Sequence, residues 1–265
     1  MNKLENILTQ LCSCYTVSGS ELEGFSVIKN LLPQSTLLES DCNGNIIATL
    51  GNINSDDVIL LDAHNDRIGL IVEYIDDNGF LKVSNCGGID RRVLAGSVVT
   101  VLGSKPLRGI VSCLPPHLSD GAEDKAPKNG TLYIDTGLNK TEVEKYVSPG
   151  DKAAVFAKPK KLIGSRFSAA GLDNKAGVAS LIRTARIIAD SNISSCVKIL
   201  FSSQEETGLL GSRTASFKIN PSCAVVVDVS FASQPSVPAD KCGVMSKGPM
   251  LGTAPILDKE MLADF

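Results

Sequence analysis

Apolar residues recur at helical spacing at Leu4, Ile7, Leu8 and Leu11, which predicts a helix at the start of the chain. Ser20 followed by Glu23 has the form of a capping box and predicts a second helix running through Leu31-Leu32 to the break at Pro33. Short β-like runs follow at about 45–50 and 57–63. From residue 68 the pattern changes to weak alternation over 68–75, a turn at Asp77-Asn78-Gly79, and a return strand from Phe80. Further short runs lie at about 97–102, 108–113, 131–135 and 153–157, with a polar stretch from His117 to Gly130 and one helical segment near Lys140–Tyr146. Helix–strand alternation then resumes: Val178, Leu181, Ile182, Ala185 and Ile188 share one helical face, and strands are expected at about 196–202 and 223–229.

This order predicts an α/β domain with an open mixed sheet, formed by residues 1–67 and 164–265 and interrupted by a small β-rich, barrel-like insert over 68–163. At 265 residues, 43% apolar and 21% charged, the chain has the composition of a globular protein with a sizeable core. A net charge of −3 without a long basic block argues against a nucleic-acid partner. Neither a signal-peptide pattern nor an apolar run of membrane-spanning length is present, so the expected location is cytoplasmic, with no membrane partner. Eight cysteines without a Cys-x-x-Cys pair are expected to be reduced and mostly buried, and not to form a zinc site.

Candidate chemistry sits at the ends of the apolar runs. Val58-Ile59-Leu60-Leu61 leads into Asp62-Ala63-His64-Asn65-Asp66; Cys196–Ser202 leads into Gln204-Glu205-Glu206; Ala224–Val227 ends on Asp228; and Asp173 stands where a loop becomes a helix. Ligands of open α/β sheets gather outside the carboxyl ends of the strands. Singly, each element has a plain structural reading: a solvent-facing histidine at a strand end, a helix-capping Asp173, a solvated turn at Glu205-Glu206. Jointly they point to a metal site. Two adjacent acids at the end of a buried strand repel unless cations neutralise them, His64 and Asp66 at i and i+2 of an extended segment point the same way, and a metal-bound imidazole commonly donates its other N–H to a carboxylate.

Several motifs resemble the M42 family of metalloaminopeptidases: Ala63-His64-Asn65-Asp66-Arg67-Ile68-Gly69, Leu172–Gly177, Gln204–Gly211 and Val227-Asp228-Val229, with Pro115–Leu118 and Lys247-Gly248-Pro249 also similar. The resemblance implies a zinc-peptidase-like catalytic domain holding two divalent ions, zinc or cobalt. His64 and Asp228 would bind one ion, Asp173 would bridge both and Glu206 would bind the second. Glu205 would be the general base, Asp66 would orient His64, and His117 would be structural. It further implies peptide substrates and a homo-oligomer, a dimer-based dodecamer with its dimer contacts through the insert. The family completes its second ion with a histidine beyond the matched stretch, which leaves three readings: a truncated chain, the favoured one; another ligand in its place; or a single ion with the second site incomplete. Two other readings are a glycan hydrolase using paired carboxylates and a non-catalytic member kept for assembly or binding.

Overall fold

The computed structural model describes residues 3–115, 118, 127 and 131–265; His117 lies outside them. Met1–Val227 forms one compact unit and Asp228–Phe265 a second. The fold is mixed α/β with a closed six-stranded barrel.

The five-stranded sheet of the first unit is built from β1 (Leu37–Ser40), β2 (Ile46–Gly51), β3 (Val58–His64), β12 (Cys196–Ser202) and β13 (Cys223–Val226), in the order β1-β2-β12-β3-β13. β3 runs parallel to both β12 and β13, whereas β2 is antiparallel to β12 and to β1. The period-2 alternation of side chains decides what each face buries. Val197, Ile199 and Phe201 of β12, with Ile46, Ala48 and Leu50 of β2, face a core built with α1 (Lys3–Cys12), α2 (Phe25–Leu31) and α4 (Leu172–Ala189). The intervening Ile47, Leu60 and Leu200 form a much smaller cluster with Ala215 of α5 (Leu210–Ile219).

The barrel strands are β4 (Gly69–Ile75), β5 (Leu81–Cys86), β6 (Val98–Leu102), β7 (Pro106–Ser112), β8 (Leu132–Asp135) and β9 (Lys152–Val155), closed in the order β4-β5-β8-β7-β6-β9. Leu70, Val72, Leu81, Val83, Val99, Val101 and Ile134 fill its interior. Closure leaves no unpaired strand edge. The short α3 (Lys140–Val143) is opened by a capping box between Asn139 and Glu142.

Several local expectations are corrected. Ser20 makes no side-chain cap; a 3-10 turn over Glu21–Gly24 comes first and α2 starts only at Phe25, because Glu21 is drawn inward (below) instead of exposing the segment as a regular first turn. β1 was not expected, its four residues carrying no clear alternation. All eight cysteines are free, but only Cys12, Cys86 and Cys196 are buried, so "mostly buried" overstates the case.

In the second unit, Ala232 and Gly243 form an isolated bridge and Asp258 caps α6 (Lys259–Ala263) through the Met261 N–H. Phe231, Met245, Met250 and Ile256 are exposed there.

Candidate metal centre

Parallel pairing of β3 and β12 sets Ser202 level with His64, so the chain leaves both strands at the same height. The Asn65 N–H donates to Ser202 O at 2.7 Å, joining the two exits. His64-Asn65-Asp66 and Gln204-Glu205-Glu206 are therefore neighbours although 140 residues separate Asp66 from Glu206.

His64 is buried and stands between carboxylates. Its Nδ1 lies 3.3 Å from Asp66 Oδ1, while its Nε2 lies 3.0 Å from Asp173 Oδ1 and 3.9 Å from Glu205 Oε2. Asp66 is fully buried and accepts from Ser18 Oγ at 2.6 Å and from the amides of Glu205 at 3.0 Å and Glu206 at 3.2 Å. Burial alone would raise its pKa, but the His64 imidazole, the Ser18 hydroxyl and the Glu205 amide together hold it below the usual carboxylate range. Burial, followed by the charge of Asp173, pushes Glu206 up to about 7. Strong mutual repulsion in such a set is relieved when a cation joins it.

Asp173 reaches the site from the start of α4, but it is not the helix cap that its position predicts. Asp173 and Asn174 have non-helical φ/ψ, and Asn174 does the capping by accepting from the Gly177 N–H at 3.0 Å. The Asn174 side-chain amide also donates to Val227 O at 2.8 Å, and the Val227 N–H donates to Asp62 O at 2.8 Å. Both backbone groups of Val227 are thus fixed immediately before Asp228, the first residue of the second unit.

Lys175, on the next position of α4, is fully buried. Its Nζ donates to Thr16 Oγ1 at 2.7 Å and to Asn65 O and Asn65 Oδ1, each at 2.5 Å. All three acceptors are neutral, and burial brings its pKa down to about 8. Lys175, Thr16, Ser18, Asn45 and Glu21 were not singled out from the sequence. For Lys175 a signal existed: it precedes Val178 by three and Ile182 by seven, so it is a charge on the apolar stripe of the helix. For the others, three small polar residues in loops and a glutamate at the start of a 3-10 turn, the sequence carries no such signal.

A histidine whose ring is flanked by acids, with further acids from two other segments, all at the carboxyl edge of an α/β sheet, is the donor set of a candidate metallohydrolase site. Comparison with known proteins makes the assignment specific. The M42 glutamyl aminopeptidase family matches residues 44–265, and the chain belongs to this family. It is 31% identical over 255 residues to the lysyl aminopeptidase of Pyrococcus furiosus, an alignment covering 92% of this chain and 72% of that protein. Among solved structures it is similar to an aminopeptidase from the archaeon Desulfurococcus kamchatkensis, with a TM-score of 0.85 and 28% identity over 93% of this chain and 69% of that one. The TET1 peptidase of Pyrococcus horikoshii, which assembles into a tetrahedron or a large octahedral shell, matches with a TM-score of 0.80 and 31% identity over 90% of this chain and 72% of its own. The chain is therefore an aminopeptidase-family hydrolase, and among its described residues no helix is long and apolar enough to cross a membrane.

Proposed function

We propose that this protein releases N-terminal residues from peptides using two divalent metal ions, zinc or cobalt. The observation that carries the reading is the surround of His64: Asp66 on Nδ1, with Asp173 and Glu205 both within 4 Å of Nε2. Asp66 on Nδ1 leaves Nε2 as the metal-facing nitrogen, the usual division of labour for a ligating histidine. The residues fit divalent cations: imidazole and carboxylate donors suit zinc or cobalt, and Glu206 carries the raised affinity for protons expected of an acid awaiting a positive partner. His64 and Asp228 would hold one ion and Glu206 the second, with Asp173 available to both. Asp228 enters the reading through the family resemblance, as the residue that follows Val227. Bound there, divalent ions would supply Lewis-acid activation of the scissile carbonyl and of water. Glu205 then acts as general base, its Oε2 taking the proton from the attacking water and returning it to the leaving amine. Asp66 holds the imidazole in one orientation throughout.

The barrel over 68–163 is an inserted dimerisation domain in this reading, and the protein works as a cytoplasmic homo-oligomer, a dimer-based dodecamer. The shell-forming relative and the eight free thiols support this. Two measurements test the function. Equilibration of the purified chain with zinc or cobalt counts the sites: two ions per chain would mean that another ligand completes the second site, and a single ion would reduce the centre to the His64 half. Glu205→Gln should lose metal-dependent release of N-terminal residues while keeping its ions, and full turnover by that variant would remove Glu205 from the base role.

A further inference from the structure

Four consecutive amides beyond β12 are each taken by a side-chain oxygen from elsewhere in the chain. Ser203 N–H donates to Asn45 Oδ1 at 2.9 Å, Gln204 N–H to Glu21 Oε1 at 2.9 Å, Glu205 N–H to Asp66 Oδ1 at 3.0 Å and Glu206 N–H to Asp66 Oδ2 at 3.2 Å. Gln204 takes a left-handed φ of 54°, which departs from the strand and allows successive N–H groups to face inward. The N–H groups of the loop that carries the base and a metal ligand are thus taken by three side chains, while its carbonyls accept from the start of α5: the Leu210 N–H donates to Gln204 O at 3.3 Å and the Gly211 N–H to Ser203 O at 3.0 Å.

Asp66 already has a place in the site, and Asn45 belongs to the turn before β2. Glu21 has none. It is 2% exposed, and among the described residues no cation pairs with it. A buried carboxylate without a counter-charge is costly and needs hydrogen-bond donors to persist. Its donors are the amides of Gly19, at 2.8 Å, and Gln204, and both fall on the same oxygen, Oε1. The other oxygen faces Gly44, where a Cβ would come within 3.2 Å of it.

Glu21 is also fixed in space by the segment that follows β3. Thr16 O accepts from the Arg67 N–H at 2.9 Å, Arg67 O from the Ser18 N–H at 3.2 Å, and Glu21 O from Asn65 Nδ2 at 3.2 Å. Residues 16–21 and 64–67 therefore form one stapled piece, presenting two carboxylates, Glu21 and Asp66, to three amides in a row.

We propose that Glu21 is a positioning residue for the reaction: its Oε1 anchors Gln204 so that the Glu205 and Glu206 side chains are aimed at His64 and Asp173. The roles of Glu205 and Glu206 rest on the aminopeptidase reading; the anchor itself does not. Glu21→Gln keeps an oxygen acceptor in place of Oε1, whereas Glu21→Met keeps the length and loses the acceptor.

The test uses the whole chain, first without metal. In the parent, hydrogen exchange should show the Gln204, Glu205 and Glu206 amides protected; a Gln204 amide exchanging as freely as an open loop overturns the proposal without any variant. Glu21→Met should speed exchange at 204–206 by about tenfold, leave β6 of the barrel unchanged, and weaken zinc binding by about 10–100-fold, as loss of a residue supporting metal ligands does. Glu21→Gln should stay near the parent in both, and in peptide hydrolysis the Met variant should lose kcat with KM nearly unchanged. Faster exchange with parental zinc affinity would overturn the positioning role, and Gln as harmful as Met would replace acceptor geometry with charge. A parent that binds no zinc and cleaves no peptide overturns the metallopeptidase reading and the positioning role with it, and exchange at 204–206 still separates that from loss of the anchor.

Discussion

The barrel and the five-stranded sheet bury comparable apolar cores, but they differ in where polar groups go. Of the residues buried as polar or charged among those described, only Thr100 lies on a barrel strand. Thr16, Ser18, Glu21, Asn45, Asp62, His64, Asn65, Asp66, Arg67, Asn174, Lys175, Ser202 and Ser203 all gather around the carboxyl edge of the sheet. The barrel closes its hydrogen bonds on itself and needs nothing else. The sheet is open at β1 and β13, exposes Val226, and holds a buried polar network at one end. The difference teaches that stability and chemistry are kept apart: the barrel and the α1–α2–α4 face supply apolar burial, and the sheet edge carries the desolvated charges.

The comparison is broken or sharpened by substitutions on each side. The largest stability effect is expected in the two cores, where Phe201→Ala should cost about 3–5 kcal/mol and Leu81→Ala about 2–5 kcal/mol, since both side chains are fully buried. Denaturant unfolding measures this; a loss under ~1 kcal/mol at Leu81 would mean the barrel interior is not the packed core it forms here. Asp66→Ala comes next. It strands the Ser18 hydroxyl and the Glu205 and Glu206 amides at about 1–3 kcal/mol per buried orphan. It should also lower zinc affinity by about 10–100-fold, read by calorimetric titration. No barrel substitution should change zinc affinity, and one that did would end the separation.

Lys175→Met tests the buried charge through pH. The folded pKa is about 8 against an ordinary value of 10.5, so between those values the unfolded chain binds more protons than the folded one. Parent stability attributable to Lys175 therefore rises with pH across that window. The Met variant should lack this slope, and identical pH profiles for the two would mean the ammonium is not desolvated. The smallest effect belongs to the barrel surface. Lys140 pairs with Asp77 at 2.8 Å in the open, and Lys140→Ala should leave the melting temperature unchanged.

Much of this was legible in the sequence. The strand at 196–202, the strand expected at about 57–63 and found at Val58–His64, the long helix from Leu172 and the shift from 3.6-residue to 2-residue periodicity near 68 followed from apolar spacing, because that spacing is what burial acts on. The proximity of His64, Asp66, Asp173 and Glu205 was also anticipated, since each stands at the end of an apolar run or helix start. The expected Ser20 cap failed because Glu21, one position on, is captured by an amide 183 residues away. The Asp173 cap failed because Asn174 takes that duty and leaves the acid for the site.

What the sequence by itself determined is the set of elements, their order and the residue types available at their ends, all fixed by local spacing and by the incompatibility of charge with a dry interior. The tertiary structure alone decided which oxygen receives which amide. The closed order of the barrel, the antiparallel placement of β2 beside β12, and the convergence of Glu21, Asn45 and Asp66 on residues 203–206 depend on contacts far apart in the chain. A hydrogen bond is satisfied only by a partner at the right distance and angle, and no local pattern in the sequence records that geometry.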